Sequence, residues 1–135
     1  MNKINPKPTS AELDILAVLW ERGPSTVRDV HAVLNERRPA AYTTVLKFMQ
    51  IMNEKGLVKR DEQAKAHIYS AVPTEEQTRK NLVGDLLDRA FRGSALKLVQ
   101  HVLETKAASP DELAEIRRMI AEAESKAAGN NEVTK

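Results

Sequence analysis

Between Ala41 and Val72 the chain reads AYTTVLKFMQIMNEKGLVKRDEQAKAHIYSAV, and its hydrophobic period switches there from helical to extended. At about 100° per residue, Val45, Phe48, Met49 and Met52 share one side of a helix from about Ala41 to Lys55. Gly56 supplies a left-handed stop. Leu57 to Asp61 and His67 to Val72 then read as paired strands. The turn between them, Glu62 to Ala66, has no glycine, so it is not of the tight two-residue kind. A polar helix face followed at once by a cationic hairpin is the layout of a winged helix-turn-helix. In that geometry one helix enters the DNA major groove and a loop lies on the adjacent backbone.

The segments upstream fit this layout. Thr9 and Glu12 form a T-x-x-E capping box, followed by an apolar stripe at Leu13, Leu16, Ala17 and Trp20. Gly23-Pro24 ends that helix. Ser25 or Thr26 caps a second, with Val27, Val30, Val33 and Leu34 on one face. Arg37-Arg38-Pro39 closes it, because a residue before proline is pushed out of the helical region.

Pro73-Thr74 marks a module boundary. Thr74 and Gln77 offer another capping box for a helix reaching about Phe91, with Leu82, Leu86, Leu87 and Phe91 along it. Gly93-Ser94 breaks it, and Ser94 caps a helix carrying Leu96, Val99, Val102 and Leu103. Ser109-Pro110-Asp111-Glu112 combines a cap, a proline at the first helical position and first-turn acids. The helix it starts places Leu113, Ile116, Ile120 and Ala123 on one stripe. The expected architecture is mainly α with a small β-hairpin wing (α+β): a winged helix-turn-helix over residues 1–73, a three-helix dimerisation module over 74–128 and a disordered tail over 129–135. Such short helices with one-sided apolar faces bury little surface alone. A second copy is the favoured cover, since symmetric dimers read symmetric sites. A monomeric extension folded back on the core is the alternative. The dimerisation residues expected are Leu82, Leu86, Phe91, Val99, Val102, Leu113, Ile116 and Ile120.

Composition narrows the classes. The chain has no cysteine, which excludes disulfides and thiolate metal sites and fits a reducing compartment. The first ten residues, MNKINPKPTS, lack the apolar stretch of a secretory signal. No window approaches about 18 apolar residues, so no membrane span is expected and the chain reads as soluble and cytoplasmic. Net charge is only +2, but residues 1–73 carry 11 Lys/Arg against 8 Asp/Glu while the remainder carries 10 against 11. That asymmetry suits a DNA-contacting half joined to a neutral assembly half.

Opposite the apolar side, the third helix presents Thr43, Lys47 and Gln50, flanked by Thr44. Lysine can donate to a guanine edge or a phosphate, glutamine can bond adenine in bidentate fashion, and threonine can bond a base edge or touch a thymine methyl. These four are the candidate base readers. Leu46 and Ile51 either contact thymine methyls or pack beneath the first helix or wing. Tyr42 bonds a phosphate through its hydroxyl or packs its ring, the former being favoured. As a group, Arg37, Arg38, Lys59, Arg60, Lys65 and His67 around this face read as phosphate anchors, which fix register without reading sequence, while any one of them taken singly reads equally as a solvated surface charge. The backbone contacts expected first are Tyr42, Arg38, Lys59, Arg60 and Lys65.

The strings AYTTV and EKGLVKR, the run TSAELDILAVLW and the strand HIYSA resemble the penicillinase and methicillin-resistance repressors, the BlaI/MecI/CopY family. The resemblance spans about Pro8 to Glu124, including the break at Phe91-Arg92-Gly93. It implies a homodimeric repressor that binds double-stranded palindromic operators with TACA/TGTA-like half-sites. Thr43, Thr44, Lys47 and Gln50 fall where that family's recognition helix meets bases. Copper-responsive members carry a C-terminal cysteine cluster; this chain has none, which excludes copper sensing through it. Members that respond to β-lactams are released by proteolysis at an Asn-Phe bond in the fifth helix. Here His101-Val102 occupies that place, so an inducing protease is a possible partner acting on different residues. Ile51 replaces a common basic residue of the recognition helix.

Nothing assembles a catalytic, cofactor or metal site in the sequence. His31, His67 and His101 lack zinc-binding spacing, and there is no Gly-rich phosphate loop. Glu75-Glu76 and Asp111-Glu112 are explained by first-turn dipole compensation. An enzyme is not expected. The rival reading is a winged helix used for protein–protein contact, with Leu46 and Ile51 facing a partner. A third, a regulator with a small effector between its halves, has no aromatic lining or convergent polar groups to point to it.

Overall fold

The computed structural model describes residues 7–63 and 65–133. Among these are six helices and one antiparallel hairpin: α1 Ser10–Arg22, α2 Val27–Arg37, α3 Tyr42–Lys55, β1 Val58–Asp61, β2 Ile68–Ala71, α4 Glu75–Ala90, α5 Ala95–Thr105 and α6 Pro110–Val133. This is the expected mainly α fold with a small wing. The chain divides into two compact units, one through Asp85 and one from Leu86, with the division inside α4.

Local chemistry sets the helix ends. Both arms of the capping box form at Thr9/Glu12, and a second box forms at Thr26/Asp29, so Thr26 rather than Ser25 is the cap of α2. Asp29 is held below the ordinary carboxylate range, first by the Thr26 backbone N–H and then by its hydroxyl. Arg38 leaves α2 in an extended conformation (φ −160°, ψ 136°), as a residue before Pro39 must. Gly56 ends α3 with φ 87°, a left-handed geometry that costs other residues steric strain.

In the first unit the core is Ile15, Leu16, Val18 and Leu19 of α1, Val27 and Val30 of α2, Val45, Met49 and Met52 of α3, and Leu57, Val58 and Tyr69 of the hairpin. The stripe expected on α1 is therefore rotated. Leu16 is buried, but Leu13, Ala17 and Trp20 are only half-buried, while Ile15, Val18 and Leu19 are enclosed. The cause is that α1 packs against α2, α3 and β2 together, so a wider arc than one stripe is covered. Trp20 sits at its margin, where the indole N–H donates to the Pro73 carbonyl at 3.0 Å.

The hairpin register pairs Val58 with Ala71, Lys59 with Ser70, Arg60 with Tyr69 and Asp61 with Ile68. Ser25 adds a bridge to Tyr69 through two backbone hydrogen bonds of 2.8 and 3.0 Å. This ties the wing's second strand to the start of α2. Ala64 of the wing turn lies outside the described residues.

The second unit begins within α4. After Ala90 the backbone reverses through Arg92 (φ 51°) and Gly93 (φ 81°), and Ser94 caps α5 by accepting from the Lys97 N–H. The Ser109 hydroxyl accepts from the Glu112 N–H at the start of α6. From Leu86 onward, no side chain whose burial is described is buried in the single chain. One expectation needs correcting: α6 continues to Val133, through most of the stretch assigned to a disordered tail from Gly129. The preceding Ala, Glu and Lys are strong helix formers, and one interior glycine costs only about 1 kcal/mol. Residues 134 and 135 lie outside the described residues.

Candidate nucleic-acid interface

The α3 helix has two unlike sides. Val45, Met49 and Met52 are buried and Phe48 half-buried, whereas Thr43, Thr44, Lys47 and Gln50 are exposed. Spacings of four and three residues put Thr43, Lys47 and Gln50 in one row along the helix. Leu46 and Ile51 on its flanks are half-buried. Leu46 packs against the core, and Ile51 shares a shallow groove with Thr43, Thr44, Lys47 and Phe48.

The turn leading into α3 is held by polar contacts that hydrophobic periodicity does not register. His31 Nε2 donates to the Ala40 carbonyl at 2.8 Å, which requires the proton on that nitrogen. The Ala40 N–H donates to Asn35 Oδ1 at 3.0 Å. Tyr42, at the first position of α3, lies edge-on to the His31 ring with centroids 5.6 Å apart, and it keeps substantial exposure.

The expected backbone contacts fall into separate clefts. Tyr42, Leu46, Lys65 and His67 line a cleft of about 480 Å³ together with Arg28, a cation that the sequence reading had not singled out. Its first-turn position on α2 was the available signal. Lys59 and Arg60 line a second groove with Asp61 and Glu62, and Arg37 and Arg38 a third with Asp14. Lys59 and Lys65 are exposed. Arg38 is exposed and 3.6 Å from Asp14, a surface pair of little energetic weight. Arg60 is more constrained. The Tyr69 hydroxyl, its cross-strand neighbour, and then Glu62 push its pKa further up, and its Nη2 lies 2.7 Å from Glu62 Oε2. A phosphate at Arg60 must therefore compete with Glu62.

At the other end of α3, Lys55 Nζ donates to both oxygens of Glu12, at 3.0 and 2.7 Å. Glu12 is 2% exposed. Burial works against its charge. The Lys55 hydrogen bond, the Thr9 N–H and the Lys55 charge outweigh that penalty and hold the carboxyl below its ordinary value of 4.5. A depressed folded-state pKa stabilises the fold above the unfolded value, and that stabilisation is lost as pH falls through the folded value. Urea midpoints from neutral pH to about pH 3 should therefore show wild type falling toward Glu12→Gln at the acid end. Parallel curves throughout would contradict this assignment.

Among the described residues no cluster of three His, Cys, Asp or Glu side chains could hold a metal ion. No described helix is long and apolar enough to cross a membrane.

Comparison with known proteins places these features. The chain is 36% identical over 115 residues to the transcriptional regulator BlaI of Mycobacterium tuberculosis, covering 84% of this chain and 82% of that one. It is 19% identical to the methicillin resistance regulatory protein MecI of Mammaliicoccus sciuri, over 83% of this chain and 91% of that one. The solution structure of the DNA-binding domain of the repressor BlaI superposes with a TM-score of 0.50 at 18% identity, over 56% of this chain and 93% of that domain, a likeness of fold. The penicillinase repressor model matches residues 8–122, nearly all of what the structure describes, and the chain thus belongs to the penicillinase repressor family.

Proposed function

We propose that this chain is a sequence-specific DNA-binding repressor that acts as a homodimer on a palindromic operator. In this reading α3 lies in the major groove and the wing lies on the flanking backbone. The observation that carries it is the exposed row Thr43, Lys47 and Gln50 on a helix whose opposite side is locked into the core. Thr44 joins these as a base reader. Tyr42, Arg38, Lys59, Arg60 and Lys65 serve as phosphate contacts, and Arg28 joins them through the cleft beneath the wing. Repression follows from occlusion of polymerase.

The helices from α4 onward support the dimer. Leu86, Val99, Val102, Leu113 and Ile120 are exposed in the single chain, and Leu82, Phe91 and Ile116 are only half-buried. An apolar set this extensive needs cover, and a second copy provides it with closed symmetry. The residues through Pro73 and those from Thr74 then divide DNA contact from assembly. Release by an inducing protease belongs to the same proposal. The bond at His101-Val102 lies within α5 with both residues exposed, so cleavage there requires local opening of the helix.

The test uses a duplex selected by the chain from a random-sequence pool, compared with a shuffled duplex in gel-shift titrations. Lys47→Ala and Gln50→Ala should each lose about 1–3 kcal/mol on the selected duplex alone. Arg60→Ala should weaken both duplexes alike and reduce the salt slope by about 1. The competing reading, a protein-contact module, draws on the groove beside Ile51. Binding that selects no sequence and stays flat with salt would favour it over the repressor.

A further inference from the structure

The C-terminal half of α3 is packed by Met49 and Met52, both fully buried. Methionine is the most adaptable of core side chains and specifies position poorly. Apolar burial is also non-directional, so it resists separation of α3 from α1 more than rotation or sliding of one on the other. At this loosely specified end lies the directional contact in which Glu12 of α1 accepts two hydrogen bonds from Lys55, the last residue of α3. Glu12 Oε1 also accepts from the Thr9 N–H at 2.9 Å, so the carboxylate is fixed to the first turn of α1. Lys55 in turn precedes Gly56, where the chain leaves α3 for β1, and the Leu57 N–H closes that turn on the Met52 carbonyl at 2.9 Å.

We propose that Glu12 and Lys55 are positioning residues for DNA recognition. Their ion pair, in which a surface lysine meets a buried carboxylate, sets the axial register and rotation of α3, and hence the aim of Lys47 and Gln50. Neither residue touches DNA. The inference rests on the reading of α3 as the recognition helix. Desolvation of the Glu12 carboxylate offsets much of the attraction, so the pair adds little net stability, but it penalises arrangements that leave this buried carboxylate without its lysine. The same contact references the wing to α1 through Gly56. The other end of α3 is held independently, by His31 and Asn35 on Ala40.

The experiment compares the full-length wild type with the doubly neutral variant Glu12→Gln/Lys55→Met. Glutamine at position 12 can still accept from the Thr9 N–H, so the cap is retained, and no charge is left buried alone. Affinities are measured for a duplex selected by the wild type from a random pool and for its shuffled counterpart. The variant should melt within a few degrees of wild type and bind the shuffled duplex within about twofold, while the ratio between the two duplexes falls about tenfold, comparable to one mismatched base pair. A merely structural role would leave that ratio unchanged in the folded variant, and a ratio preserved within about twofold overturns the inference. Should the double variant fail to fold, Lys55→Ala decides, since Lys55 lies at the surface and its truncation removes the contact with Glu12: a lowered ratio supports the inference and an unchanged one overturns it. If the wild type itself does not discriminate the two duplexes, the reading of α3 fails and takes this inference with it. Discrimination by both wild type and variant removes the inference alone.

Discussion

Val102→Asp is expected to dissociate the proposed dimer and lower affinity for a two-half-site operator by about 10²–10⁴-fold. Val102 is 54% exposed in the single chain, on a helix none of whose residues is buried there. Its neighbours in the α5 apolar row, Val99 and Leu103, are exposed as well. A carboxylate placed there costs little in an isolated chain but must be desolvated, unpaired, when a second copy covers it. The fold of the first unit should be untouched, since Val102 belongs to the unit beginning at Leu86. Sedimentation should therefore show monomer, and affinity for a single half-site should remain that of wild type. The loss appears only on the paired site, because there the second contact is made at high effective concentration once the first is formed. A variant that stays dimeric, or keeps full affinity for the paired site, would place the assembly surface elsewhere.

Tyr69→Ala should destabilise the first unit by about 3–5 kcal/mol, the range for truncating a large buried aromatic. Tyr69 is 1% exposed and, by residue volume, heads the fully enclosed side chains. Its side chain belongs to the core shared by α1, α2, α3 and the hairpin, and its backbone exchanges two hydrogen bonds with Ser25, just before α2. Truncation leaves a cavity that backbone pairing on both sides prevents from closing. Tyr69→Phe separates the ring from the hydroxyl. It should cost much less than Tyr69→Ala, since the ring stays in the core, while freeing Arg60 from its cross-strand partner. Urea denaturation of both variants measures the difference directly. Equal losses would show that the hydroxyl, not the ring, carries the stabilisation.

Much of the architecture was legible in residue order. Thr9, Thr26, Ser94 and Ser109 cap the helices that their spacing predicts, and Gly56 ends α3 in the expected left-handed geometry. These are local effects, settled within about one helical turn. The apolar spacing of Val45, Met49 and Met52 also implied which side of α3 would be exposed, and Thr43, Lys47 and Gln50 are exposed. The face of α1 was not legible, because its width depends on three neighbours packing at once. Nor was the helical continuation past Gly129, in a stretch that reads in the sequence as a disordered tail.

The order of elements, their ends and the two-sided character of α3 follow from the sequence alone, because caps, glycine stops and helical period act over a few residues. The tertiary structure decided which charges are already engaged. Glu12 appears in the sequence as half of a capping box and Lys55 as the end of a helix, yet 43 positions separate them and packing alone brings them into contact. Arg60 likewise reads as a free phosphate anchor until the hairpin register sets it against Tyr69 and Glu62. Ion pairs across a fold depend on how whole helices are placed, and hydrophobic periodicity carries no information about that placement.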